Sequence, residues 1–272
     1  VKLQYQYQGN DVKMNINTFA HSAKKRVEQK IKQRLLSEII ETANKVNKSG
    51  FPFEKALKTD GMSFICEIKK ASPSAGIISK DFPYLETARE YESAGADAVS
   101  VLTEPDYFKG SDRYLHDISR TISLPTLRKD FIVDEYQLYE AKVLGASAVL
   151  LICAILDTER LRRFIEICDT LNLSALVEAH TKQEIQSAIK AGARIIGVNN
   201  RNLNDFTVDL NNSIRLRRFV PRDILFVAES GIKTRYDIIR LEDAGVNGVL
   251  IGETMMRSHD KTKTLSELRY GL

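Results

Sequence analysis

Cysteine is scarce in this chain, with three residues in 272 (Cys66, Cys153 and Cys168), and their spacing matches no metal-binding pattern. An odd number of thiols with no secretory segment argues against a disulfide framework and points to a reducing, cytoplasmic compartment. Glycine and proline are also few, 14 and 6, which speaks against disorder and low-complexity linkers. No apolar run approaches the length of a membrane span, and no signal-peptide pattern follows Val1. Nor does one sign of charge dominate. Against 36 acidic residues stand 40 basic ones, and a formal net charge of +4 is too small to imply a nucleic-acid or membrane partner, although it would suit an anionic substrate. The remainder is ordinary for a folded chain: 43% hydrophobic and 28% charged residues, enough for a sizeable core.

Residues 18–48 place Phe19, Ala23, Val27, Ile31, Leu35, Ile39, Ala43 and Val46 three or four positions apart, which predicts one long helix. Lys24, Lys25, Arg26, Lys30, Lys32 and Arg34 lie off that stripe and read as a solvated face. The polar, Tyr- and Gln-rich stretch before it carries no readable function. From Ser63 onward, short apolar runs alternate with amphipathic stretches, the pattern of repeated βα units. Eight strands are expected, at Phe64–Lys69, Ala98–Leu102, Thr126–Lys129, Ala148–Cys153, Ala175–Glu178, Ile195–Asn199, Leu225–Glu229 and Gly248–Gly252. AGADAVSV, LGASAVLL, AGARIIGV and AGVNGVLI repeat one helix-end-to-strand plan, with Gly95, Gly145, Gly192 and Gly245 where each helix stops. Four such echoes favour a closed (β/α)₈ barrel over an open sheet. The expected organisation is an N-terminal helical extension over residues 1–50 and a catalytic barrel over 51–272.

In such a barrel the C-terminal ends of the strands face one pocket, so strand parity identifies the polar groups that line it. In FICEIKK, Glu67 and Lys69 share the inward face with Ile65, while Cys66 points away. The same alternation turns Lys129, Glu178, Asn199 and Glu229 inward, and so many polar groups at the tops of different strands describe an active site rather than packing. A Glu and a Lys held side by side stabilise each other's charged forms and are poised for proton transfer; the competing reading is a salt bridge that merely closes the barrel. ESG at 229–231 and IGE at 251–253 end the last two strands, where barrels often grip phosphate through backbone N–H groups, and Arg201 could add a charged partner. The ASPSAG loop, with Ser72, Ser74 and Gly76, reads as a lid. His180, just past the fifth strand, reads as a rim or capping residue, and Cys66 and Cys153 as buried thiols. No metal-ligand set stands out.

The motifs EIKKASPS, VLTEPDYFKGS, LRKDFIVDEYQ, LVEAHT, IGVNNRNL, VAESGI and LIGETMMR, in that order from about Ser63 to Arg257, resemble those of the indole-3-glycerol phosphate synthase family. The resemblance implies a cofactor-free carboxy-lyase of tryptophan biosynthesis. It would close the pyrrole ring of 1-(2-carboxyphenylamino)-1-deoxyribulose 5-phosphate with loss of CO₂ and water. Carried over by motif, Lys129 is the general acid at the substrate carbonyl, and Glu178 with the Glu67/Lys69 pair stabilises the cationic intermediate and completes dehydration. Asn199 and Ser230 orient the substrate. Ser72, Arg201, Gly231, Gly252 and the N–H of Glu253 hold the phosphate, and Phe108, Phe131, Leu150 and Ile152 form the pocket for the aromatic ring. Glu253 departs from the Ser that some members carry, and the N-terminal segment is atypical. Partners are expected to be limited to the phosphorylated small molecule, with a monomer as the expected state. The rivals are phosphoribosylanthranilate isomerase, which would need an inward Cys on the first strand, a Schiff-base aldolase using Lys129, and a barrel that has lost turnover.

Overall fold

The computed structural model describes residues 15–47, 50–202 and 207–272. Eight parallel strands close into a barrel: β1 (Ser63–Ile68), β2 (Ala98–Leu102), β3 (Thr126–Lys129), β4 (Ala148–Ile152), β5 (Ser174–Ala179), β6 (Ile195–Asn199), β7 (Leu225–Glu229) and β8 (Gly248–Ile251). Each pairs with its neighbours in sequence, and β8 closes on β1. These are the eight expected strands, with ends displaced by no more than one residue. The helices between them pack outside, and the glycines that stop four of them adopt the left-handed backbone that their positions require, with φ of 85°, 90°, 89° and 80° at Gly95, Gly145, Gly192 and Gly245.

Parity divides the core as the sequence indicated. Ile65, Ala98, Leu127, Ala148, Leu150, Leu176, Ile195, Val227 and Leu250 fill the barrel interior. Phe64, Cys66, Ile68, Val99, Val149, Val177 and Phe226 pack outward against the helices. Register then brings the strand tops level: Lys129 lies beside Leu102, Ile152 beside Glu178, Glu178 beside Gly197, and Asn199 beside Glu229.

The N-terminal region departs from the single long helix predicted over 18–48. Two helices form instead, α1 (Ile16–Gln33) and α2 (Leu36–Lys45), separated by an extended Arg34 and by Leu35, whose N–H donates to Glu38 Oε2 at 3.2 Å; the expected end at residue 48 lies outside the described residues. The reason is packing. Val27 and Ile39 share one buried cluster with Tyr136, whereas twelve residues of straight helix would separate them by about 18 Å. Leu35, counted in the apolar stripe, is left exposed.

The basic face of α1 is likewise only partly solvated. Lys24, Lys25 and Lys32 are exposed. Arg26, however, pairs with Glu104 at 3.0 Å, Asp130 at 3.3 Å and Asp106, and Lys30 pairs with Glu140 at 2.7 Å and Asp112. Arg128, fully buried on the outward face of β3, joins the same network through Asp112 at 3.0 Å and Glu140 at 2.8 Å. These pairs fasten α1 over the C-terminal mouth of the barrel. At the opposite mouth α3 (Pro52–Ala56) and the residue after it form a plug, with Leu57 against Gly248 at the start of β8. Among the described residues no helix is long and apolar enough to cross a membrane.

Candidate active site

A cavity of about 910 Å³ opens at the C-terminal ends of the strands. Every residue singled out in the sequence as catalytic, phosphate-binding or ring-binding lies on its wall. Its floor is electrostatic. Lys129 Nζ is 3.0 Å from Glu229 Oε2 and 3.6 Å from Glu178 Oε2, and Lys69 Nζ is 2.5 Å from Glu67 Oε1. All three carboxylates are buried, at 1–3% exposure, so their charges are felt in a medium that screens them poorly.

Those surroundings separate the ionisation behaviour of groups that are chemically alike. Burial pushes Glu67 up, but Lys69 and Lys129 outweigh it and hold its carboxyl below the ordinary value. Glu229 is pushed by burial to about 7, with Lys129 opposing and Glu178 reinforcing the rise. Lys129 itself is disfavoured as a cation by burial, yet Glu229, Glu178 and Glu67 together raise it above a free lysine, so it is fully protonated at neutral pH. Glu229 Oε1 lies over Gly197, where any Cβ would collide with it, which explains a glycine in the middle of β6.

The opposite wall is apolar. Leu150 and Ile152 rise from β4, Phe131 follows β3, and Phe108 comes from the loop after β2. Phe19 of α1 completes this wall, stacked on Phe131 with ring centroids 4.9 Å apart. Glu104, buried in the same loop, accepts from the N–H groups of Tyr107 at 2.8 Å and Phe108 at 3.0 Å, and so sets the course of the loop that presents Phe108. Neither Phe19 nor Glu104 was readable as a site residue. Phe19 comes from outside the repeating units, and Glu104 lies two residues beyond its strand, where alternation no longer reports direction. Glu229 was read as inward, but its place as the nearest carboxylate to Lys129 required the register.

At the rim, Ser230 adopts φ 67° and Gly231 φ 86°, a turn held by Asn200 Nδ2 donating to the Ser230 carbonyl at 3.0 Å. Asn199 Oδ1 accepts from the Arg201 N–H at 3.0 Å. Thr254 Oγ1 donates to the Ile232 carbonyl at 2.9 Å, tying the loop after β8 to the loop after β7. The half-exposed Glu253 side chain pairs with Arg257 at 2.9 Å, so the added acidic charge has its own counter-ion. The ASPSAG segment, expected as a lid, is a small hairpin in which Ala71–Ser72 pairs with Gly76–Ile77 and Ser72 Oγ accepts from the Ala75 N–H at 3.2 Å.

His180, read as a rim or capping residue, is not on the cavity wall but just before the helix Lys182–Lys190, where its backbone N–H donates to Glu184 Oε2 at 2.6 Å. Its ring is largely buried, with Nε2 3.4 Å from Glu178 Oε1 and Nδ1 3.3 Å from Glu184 Oε2. Cys66 lies outside the barrel interior, buried, with its thiol pushed up to about 12 by burial, and Cys153 is likewise pushed up to about 12 by burial and the neighbouring Glu184. Neither is an activated nucleophile. Among the described residues no group of three or more His, Cys, Asp and Glu has the geometry to hold a metal ion.

Solved barrels of low identity share the architecture. A crystal structure of 3-hexulose-6-phosphate synthase superposes with a TM-score of 0.63 at 15% identity, over 78% of this chain and all of that one. A thiamine phosphate pyrophosphorylase from Pyrococcus furiosus gives 0.57 at 20% identity, over 76% of this chain and 93% of that one. Sequence relatives are far nearer. The indole-3-glycerol phosphate synthase of Ruminiclostridium cellulolyticum is 57% identical over 257 residues, covering 94% of this chain and 99% of that protein. The enzyme of the same name from Lachnoclostridium phytofermentans is 46% identical over 269 residues, with the same shares covered. The family model described as indole-3-glycerol phosphate synthase matches from residue 16 to residue 268, from the first turn of α1 to the last helix, and the chain therefore belongs to the indole-3-glycerol phosphate synthase family.

Proposed function

We propose that this cavity closes the pyrrole ring of 1-(2-carboxyphenylamino)-1-deoxyribulose 5-phosphate, releasing CO₂ and water and leaving indole-3-glycerol phosphate. The observation that carries the reading is a protonated lysine, Lys129, set between buried carboxylates and facing an apolar wall across one cavity. In the first step the ring carbon that bears the carboxylate attacks the ketone carbon. The ketone oxygen gains negative charge and takes the proton of Lys129, a transfer favoured because an alkoxide is a stronger base than an amine. The attacked ring is then cationic, and the carboxylates of Glu178 and Glu67 stabilise it. Loss of CO₂ returns its bonding pair to the ring, and among Phe19, Phe108, Phe131, Leu150 and Ile152 an uncharged leaving group is favoured over a carboxylate. Dehydration follows: the new hydroxyl leaves as water with a proton supplied by Lys69, while Glu178 or Glu67, the carboxylates beside Lys129 and Lys69, takes the departing C–H proton. Asn199 and Ser230 orient the chain of the sugar, and Ser72, Arg201, Gly231, Gly252 and the Glu253 N–H receive the phosphate. The division into an extension over 1–50 and a catalytic barrel over 51–272 belongs to the same proposal, with α1 lending Phe19 to the cavity.

The direct test is indole fluorescence on mixing the purified protein with the carboxyphenylamino substrate; a folded protein that gives no signal overturns the reading. A second outcome follows from Gly252. A Cβ there would collide with Glu67 Oε1 and come within 2.9 Å of Lys69 Nζ. The atoms that must yield are the ends of side chains, so Gly252→Ala is expected to fold normally while kcat/KM falls on the order of 10- to 10²-fold through misplacement of the Glu67/Lys69 pair. Unchanged kcat/KM would show that the pair need not sit where it does.

A further inference from the structure

We propose that His180 is a positively charged positioning residue, an imidazolium clamped between Glu184 and Glu178 that fixes the Glu178 carboxylate from the side opposite Lys129. The inference rests on the proposed role of Glu178. Its geometric basis is that both ring nitrogens face carboxylates: Nδ1 is 3.3 Å from Glu184 Oε2, and Nε2 is 3.4 Å from Glu178 Oε1. A neutral imidazole carries one N–H, and whichever nitrogen held it, the other would turn a lone pair toward a carboxylate. Only the doubly protonated ring suits both neighbours. The clamp is built from outside the cavity. Glu184, on the helix Lys182–Lys190, also accepts from the His180 backbone N–H at 2.6 Å. The same helix turn is held through the Glu184 carbonyl, which accepts from Cys153 Sγ at 3.5 Å. Nε2 is buried and makes no hydrogen bond; the carboxylate oxygen beside it is Glu178 Oε1, at an ion-pair distance of 3.4 Å, while Lys129 lies 3.6 Å from Oε2 of the same group. Each oxygen of Glu178 thus has its own cation, and rotation of the carboxylate would break one contact or the other.

The charged groups around the ring are Glu178 on β5, Glu184 on the following helix and Glu229 on β7, with Lys129 on β3 beyond Glu178. Burial works against the ring's charge, but the three carboxylates outweigh it and raise its pKa above that of a free histidine. The sign follows. The imidazolium is complete at low pH, persists through the ordinary histidine range, and is lost as pH rises through the raised value, so positioning of Glu178 fails on the alkaline side.

The test compares kcat against pH for the wild type, His180→Gln, His180→Leu and Glu184→Gln, with ¹⁵N NMR of the histidine ring. In the wild type both ring nitrogens are expected to be protonated at neutral pH, and the alkaline fall of kcat to follow the loss of that signal. His180→Gln keeps an N–H near the position of Nε2 without charge. It should lower kcat about 3- to 10-fold, leave KM within about twofold, and lack the alkaline limb. His180→Leu should lose on the order of 10-fold or more. Glu184→Gln, remote from the cavity, should move both the ring titration and the alkaline limb to lower pH. The inference is overturned if His180→Gln reproduces the wild-type kcat and pH profile, or if Glu184→Gln moves neither the ring titration nor the limb. A wild-type-like His180→Gln beside an inactive Glu178→Gln sinks this inference alone, whereas wild-type turnover by Glu178→Gln sinks the reading of Glu178 together with it.

Discussion

Lys129→Ala is expected to lower kcat by about 10²-fold or more, with CO₂ release and indole appearance slowed to the same extent. The two signals stay together because Lys129 acts at the first bond-forming step. Without a proton for the ketone oxygen, ring attack does not proceed, and nothing downstream of it, decarboxylation included, can begin. Structure accounts for the size of the effect. The amine is 3.0 Å from Glu229 and 3.6 Å from Glu178, on the buried floor of the cavity. The variant should nevertheless fold. Breaking a buried ion pair on one side typically costs about 3–5 kcal/mol because a charge is left unpaired. Here Glu229, at about 7 even with Lys129 beside it, takes up a proton instead. A carboxyl that binds its proton more tightly when folded loses stability as pH rises from its unfolded to its folded value; without Lys129 the folded value of Glu229 lies higher still, so the Tm of Lys129→Ala should go on falling above about pH 7, where this contribution is already spent in the wild type. Progress curves that follow CO₂ and indole on one sample provide the check. Turnover near wild type, or CO₂ released ahead of indole, would remove Lys129 from the first step.

Strand count, strand parity and the helix-stopping glycines were legible in the sequence because each rests on local chemistry: alternation along an extended chain, and a backbone angle that favours one residue type. The break between α1 and α2 was not legible. Its cause is Tyr136, about a hundred residues away in the chain, around which Val27 and Ile39 must both pack. The solvated reading of the α1 basic face failed for Arg26 and Lys30 for a similar reason: their carboxylate partners, Glu104, Asp112, Asp130 and Glu140, belong to the barrel.

The candidate site divides along the same line. Residues on strands could be assigned to the cavity by counting, and Glu67, Lys69, Lys129, Glu178, Asn199 and Glu229 all face it. Pairing between strands could not be counted, since it depends on register around the barrel. Hence Glu67 and Lys69, neighbours in the sequence, were readable as a pair, whereas Lys129 with Glu229 and Glu178 with His180 were not. His180 in particular lies one residue beyond the end of β5, where alternation would point it anywhere. Its direction is imposed by Glu184, four residues on.

Glu178→Gln is expected to lower kcat by about 10²-fold or more as well, but with a different signature. The amide has nearly the shape of the carboxylate and leaves Lys129 with Glu229 and Glu67, so the fold and the first acid are retained. What is lost is the negative charge that faces the cationic intermediate and one of the two bases available to the departing proton. Ring attack and decarboxylation lie before that proton transfer; they lose one of the two carboxylates that face the cation, but Lys129 and Glu67 still serve them, so the later step is slowed more. In a single turnover, CO₂ should therefore appear ahead of indole, and the lag between them should lengthen in deuterium oxide, where the solvent-exchanged protons of Lys69 and the leaving hydroxyl carry the heavier isotope. Glu178 also lies 3.4 Å from one ring nitrogen of His180, so the variant should lower the ring's affinity for its second proton, visible in the same ¹⁵N titration. Equal slowing of CO₂ and indole would instead place Glu178 at the first step beside Lys129, as a group needed to keep that amine charged rather than as the base that finishes the reaction.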